Sequence, residues 1–145
     1  MVPDSGTSAH IIDKKTLTLA AAKKMADAAQ AQAESNNLPL VIAILDAGGD
    51  LIVLHRMDTA QLGSIEIAQA KARTSLRYRR PSKAFADSLN SGNTHILKLP
   101  GVFPSGGGLP VELDGFLVGA IGISGATSEE DEECARTAIA SLGGK

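Results

Sequence analysis

The chain has 145 residues, a formal net charge of −2 and a mean hydropathy of +0.05, the size of one domain with a core of its own. That charge gives no overall attraction to nucleic acid or an anionic membrane, and three Phe, one Tyr and no Trp leave no stacking platform for bases. No apolar run approaches the roughly 20 residues of a membrane span, MVPDSGTSAHIIDKK holds no secretory apolar core, and the single Cys134 excludes an internal disulfide. A single cytoplasmic domain over 1–145 is expected, with no nucleic-acid or membrane partner.

Residues 1–12 are polar and irregular and read as a flexible tail. A helix is expected over residues 16–34, capped by Thr16, with Ala22, Met25, Ala26, Ala29 and Ala33 on one face. LVIAILD and LIVLHRMD follow as two strands joined through Gly48-Gly49, placing Leu45 opposite Ile52 and Ala43 opposite Leu54. Both are apolar on both faces, which predicts helices covering both sides of the sheet. A second helix runs from Gly63 to Tyr78, limited by Pro81, with Ile65, Ala68, Ala72 and Leu76 as its buried stripe. PSKAFADSLN suggests a short helix, and the connector after it has room for a short strand at Val102-Phe103. Residues 109–113 and 116–124 form a second hairpin turned by Asp114-Gly115. Pro110, without a donor, belongs on an edge. TSEEDEECARTAIASL closes the chain as a helix opened by a Thr127–Glu130 capping box. The order predicts an α+β fold, an antiparallel sheet of four or five strands between helices.

Seven of the fifteen glycines fall between Pro104 and Gly125. Gly119, Gly122 and Gly125 recur every three residues, so they cannot share one face of a regular strand and mark bulges or close approaches. Gly106, Gly107 and Gly108 precede a strand where one glycine would serve a turn. They make either a flexible loop or an anion-binding concavity of N–H groups. The chain has neither the GxxxxGK[ST] nor the GxGxxG pattern. Arg56 and Asp58 share a strand face and read either as an internal ion pair or as a carboxylate-binding arginine with a carboxylate nearby. Lys71 and Thr74 are neighbours on the second helix, and Arg73 points elsewhere. No two of His10, His55 and His95 have metal-ligand spacing, but a haem needs only one axial donor, and His95 in the connector is the freest. Cys134 reads as a quiet packing thiol.

VIAILDAGGDLIVLHRMDTA, AQAKARTS, GGGLPVELDGFLVGAIGISGATSEEDEECA and the alanine-rich first helix together resemble the GlcG/HbpS family, over residues 17–142. The C-terminal domain of PduO-type corrinoid adenosyltransferases is similar. The resemblance implies a profilin-like three-layer α/β/α sandwich with a five-stranded antiparallel sheet. It also implies homo-oligomers, haem binding in some members, and roles beside glycolate, propanediol or glycerol metabolism. The Asp46, Arg56-Met57-Asp58, Lys71-Ala72-Arg73-Thr74 and Gly106-Gly107-Gly108 pattern is kept here.

Three functions follow as expectations. The first is an accessory protein that binds haem or a related tetrapyrrole, or another small anion. Arg56, Lys71, Arg73, Thr74 and Gly106 to Gly108 would then contact the ligand, with His95 as axial donor. The second is an enzyme on a small hydroxy acid or aldehyde, with Asp46 or Asp58 as base. The third is a structural subunit holding a metabolic enzyme partner.

Overall fold

A computed structural model describes residues 7–143. Its elements are α1 (Leu19–Ser35), β1 (Val41–Asp46), β2 (Leu51–Arg56), α2 (Ser64–Tyr78), α3 (Ser82–Asn90), β3 (Gly108–Leu113), β4 (Phe116–Ser124) and α4 (Ser128–Ala140), with 3-10 turns at Ser8–His10 and Thr94–Lys98. The expected tail, residues 1–12, lies partly outside the described residues.

The strands form one antiparallel sheet in the order β2-β1-β4-β3, so each hairpin supplies one central and one edge strand. The expected five-stranded sheet is therefore corrected to four strands in an α+β sandwich. The segment at Val102-Phe103 forms no strand, because its backbone is used elsewhere. Val102 N–H turns back to Leu99 O, Phe103 N–H donates to Thr74 Oγ1 at 2.8 Å, and Pro104 has no donor.

α1 and α4 cover one face of the sheet. All five residues of the alanine-rich stripe are buried there against Ile42, Ile44, Ile121 and Ile123. α2 covers the other face, where Val41, Ala43 and Leu45 meet Ala68 and Ala72. Ile65 and Leu76 are only half-buried on α2, while Ser64, Lys71, Thr74 and Ser75 are buried. One glycine explains how closely α2 approaches the sheet: a Cβ on Gly122 would overlap the Ala68 carbonyl oxygen. Gly119 makes room elsewhere, where a Cβ would overlap the Leu45 carbonyl oxygen of the neighbouring strand β1 and the Leu17 side chain.

α1 starts later than expected. Thr18 caps it, accepting from Ala21 N–H at 3.0 Å, while Thr16 Oγ1 accepts from Ala47 N–H at 2.9 Å and ties the chain to the β1–β2 turn. Ala43 pairs with Leu54, but an irregularity after Ile44 puts Leu45 opposite Leu51 rather than Ile52. Pro110 lies in edge strand β3, and the capping box of Thr127 and Glu130 forms at α4.

Candidate ligand-binding site

Lys71 points from α2 into the protein and is 3% exposed. Its Nζ donates to Ile123 O and to Asp131 Oδ2, both at 3.0 Å. Asp131 sits in the first turn of α4, and its second oxygen accepts from Ala126 N–H at 3.1 Å. Burial pushes the Asp131 carboxyl above the usual carboxylate range, and the Lys71 ammonium pulls it part of the way back. The glycine loop closes over this pair. Gly107 has φ +129, and a Cβ there would meet Ile123 O and Lys71 Nζ. Gly108 N–H donates to Ser82 Oγ at 2.8 Å. A Cβ on Gly106 would press on Ser128 at 3.3 Å. Thr74 is buried beside the cluster, its Oγ1 donating to Ala70 O at 2.8 Å and accepting from Phe103 N–H. Lys71 and the glycine loop are thus brought together, with Thr74 one turn along α2, and their polar groups are taken up by Ile123, Asp131, Ser82, Ala70 and Phe103. Arg73 leaves α2 toward solvent.

Arg56 and Asp58 lie elsewhere, at the far edge of the sheet from β3, about 14 Å away by strand spacing. Both are exposed, and they form no ion pair with each other. They line a cleft of ≈ 540 Å³ with Met57, Gln30, Glu34 and Pro39, between the end of α1 and the end of β2. Met57 Sδ accepts from Leu40 N–H at 3.4 Å, which fixes the thioether at the cleft wall. Thr59, also in the wall, has φ +67, a costly conformation for a β-branched residue. Asp46 is at the opposite end of the hairpin. Its Oδ1 accepts from Gly48 N–H at 2.9 Å and Asp50 N–H at 3.0 Å, so its carboxylate shapes the turn. His95 is exposed in the 3-10 turn Thr94–Lys98.

Residues 17–140 match the family described as haem-degrading protein HbpS-like. The chain belongs to this family. A 15.0 kDa protein from the dhaT-dhaS intergenic region of Citrobacter freundii is 41% identical over 128 residues, covering 86% of this chain and 90% of that one. A double mutant of Streptomyces reticuli HbpS superposes with a TM-score of 0.87 at 32% identity, covering 99% of this chain and 98% of that one. The structure of a PduOC–haem complex gives a TM-score of 0.81 at 31% identity, covering 90% of this chain and 97% of that one.

A tetrapyrrole asks for an axial donor, cations for its carboxylates and an apolar wall. In this HbpS-like chain the exposed His95 offers a ring nitrogen, and Arg56 and Arg73 offer guanidinium groups that are in no ion pair among the described residues. Cys134 does not suit the task. It is buried, its Sγ donates to Ala29 O at 3.2 Å, and burial pushes its thiol up to about 11. His55 Nδ1 is buried without a hydrogen-bond partner on the α1 side of β2. Aromatic walls are scarce, since Tyr78 and Phe85 stack edge-to-face at 5.4 Å and leave Phe103 and Phe116 as the remaining rings. The cleft that Arg56 lines has neither His95 nor Arg73 in its wall.

The sequence reading missed Asp131 as the partner of Lys71. Its signal was an acidic residue at the fourth position of α4, indistinguishable there from ordinary helix-terminus charge. Met57 and Thr59 were also missed as cleft walls. Thr59 takes its positive φ in a segment without glycine.

Proposed function

We propose that this HbpS-like chain is a cytoplasmic accessory protein that binds haem or a related tetrapyrrole. The observation that carries the reading is its likeness to the PduOC–haem complex over nine-tenths of the chain. His95 is the axial donor in this proposal, and exposed cations of the chain meet the ligand's carboxylates. Lys71, Thr74 and Gly106 to Gly108 make the frame that holds α2 and the connector in place beside it. A second copy of the chain completes the apolar wall, which makes the functional unit a homo-oligomer. A place beside glycolate, propanediol or glycerol metabolism, with a metabolic enzyme as partner, belongs to the same proposal. No described helix is long and apolar enough to cross a membrane.

The test is a hemin titration of the purified protein, followed by its Soret band beside size-exclusion chromatography. A saturable shift at stoichiometric hemin in an oligomeric fraction is expected. A featureless, unsaturable change would sink the reading.

A further inference from the structure

The hairpin end of the sheet carries a second cleft, of ≈ 380 Å³, which none of the expected site residues lines. Both β-turns, the segment entering α1 and the end of α2 converge there. Leu17 N–H donates to Val118 O at 3.0 Å and holds the entering segment against β4. Lys14, Lys15, Arg77 and Arg79 line the cleft with one carboxylate, Asp13, and none of the five is in an ion pair among the described residues. Four cations around one cleft, set against a single carboxylate, repel one another, and an anion relieves that repulsion.

The cations are also positioned. Arg77 Nη1 donates to Pro100 O at 3.1 Å, and Tyr78 Oη grips the same carbonyl. Gly101 leaves room for the guanidinium, since a Cβ there would overlap it. Lys15 Nζ lies 5.7 Å from the centre of the Phe116 ring, itself 49% exposed. Arg79 ends α2 in the left-handed region, φ 56 and ψ 43. Glycine fits that position freely, so an arginine there sacrifices stability while placing a charge at the rim. Leu76, Leu117 and Phe116 add apolar surface beside the charges.

We infer that this cleft binds the carboxylate edge of an amphipathic polyanion, with its apolar body lying toward Phe116. Under the tetrapyrrole reading, on which this identification rests, the ligand's two carboxylates would be held by these cations. The connector that Arg77 grips at Pro100 also carries His95, five residues earlier.

The experiment compares hemin with hemin dimethyl ester, which has no free carboxylates, on the full chain at low salt. The variants are Lys14→Gln with Lys15→Gln, Arg79→Gly, and the three combined; all are exposed positions, and glycine suits the backbone at residue 79. The combined variant should bind hemin about tenfold more weakly, as expected for several exposed charge contacts. The ester should bind wild type and variant alike. Hemin binding that is unchanged in the combined variant overturns this site and leaves the tetrapyrrole reading standing. A loss confined to Arg56→Gln likewise overturns it. Failure of the wild type to bind hemin saturably removes the tetrapyrrole reading, and this ligand assignment with it.

Discussion

The Lys71 ammonium and the Asp131 carboxylate, sixty residues apart in the chain, meet at 3.0 Å with their side chains 4% and 2% exposed. They lock α2 to the start of α4 around the end of β4. Lys71→Met alone strands a buried carboxylate and should cost about 3–5 kcal/mol. Lys71→Met with Asp131→Leu should recover most of that loss. Urea unfolding midpoints decide it; a double variant as unstable as the single one would show that the pair itself carries the stability.

Gly122 and Gly115 are needed for different reasons. A Cβ on Gly122 would overlap backbone of α2, which cannot yield locally, so Gly122→Ala should cost about 3 kcal/mol. Gly115 has open space and only its φ of +82 to satisfy. Gly115→Asn should therefore cost less than about 1 kcal/mol. Equal thermal shifts for the two variants would contradict the close approach of β4 and α2.

Thr59→Gly should stabilise the fold. The native φ of +67 strains a β-branched residue, and glycine relieves it despite its greater freedom when unfolded. A gain of about 1 kcal/mol, or about 3 °C in Tm, is expected. A fall in Tm would mean that the threonine side chain makes contacts worth more than the strain.

Cys134 makes high-pH stability depend on one thiol. Burial raises its pKa in the folded state to about 11, above the ordinary 9.0. A raised folded pKa means that the stabilising contribution is complete below the unfolded pKa and is lost as pH rises through about 11. Between about pH 8 and pH 11 the wild type should lose about 2 kcal/mol more than Cys134→Ala. Parallel denaturation curves for the two proteins over that range would refute it.

His95→Ala should alter the Soret band of the hemin-loaded protein while leaving the thermal unfolding of the apo-protein within about 1 °C, since the residue is exposed. An unchanged spectrum would remove His95 as the axial donor.

Local chemistry was readable from the sequence. The alanine stripe of α1, the Asp114-Gly115 turn and the Thr127–Glu130 box each depend on residues within a few positions of one another. Distant contacts were not. The irregularity after Ile44 shifts β2 by one residue without a composition signal. The predicted fifth strand failed because one hydroxyl, Thr74 Oγ1, takes the N–H that a ladder would need. Lys71 and Asp46 were legible as a candidate ligand contact and a candidate base, but their partners are a distant carboxylate and a turn backbone. The hairpin-end cleft draws on four separate parts of the chain, and no spacing within any one of them announces it.

The two rims of the sheet are not equivalent. β3 carries Pro110 and a register shift between Val111 and Glu112, so its outer side offers a broken row of donors. β2 has no proline and keeps its peptide N–H groups along the other rim. Any extension of this sheet by an added strand would therefore be polar in the geometric sense, open at β2 and stopped at β3. A chain with one stopped rim cannot propagate a ribbon through alternate rims, so copies joined by strand pairing would end as a pair related by a two-fold axis.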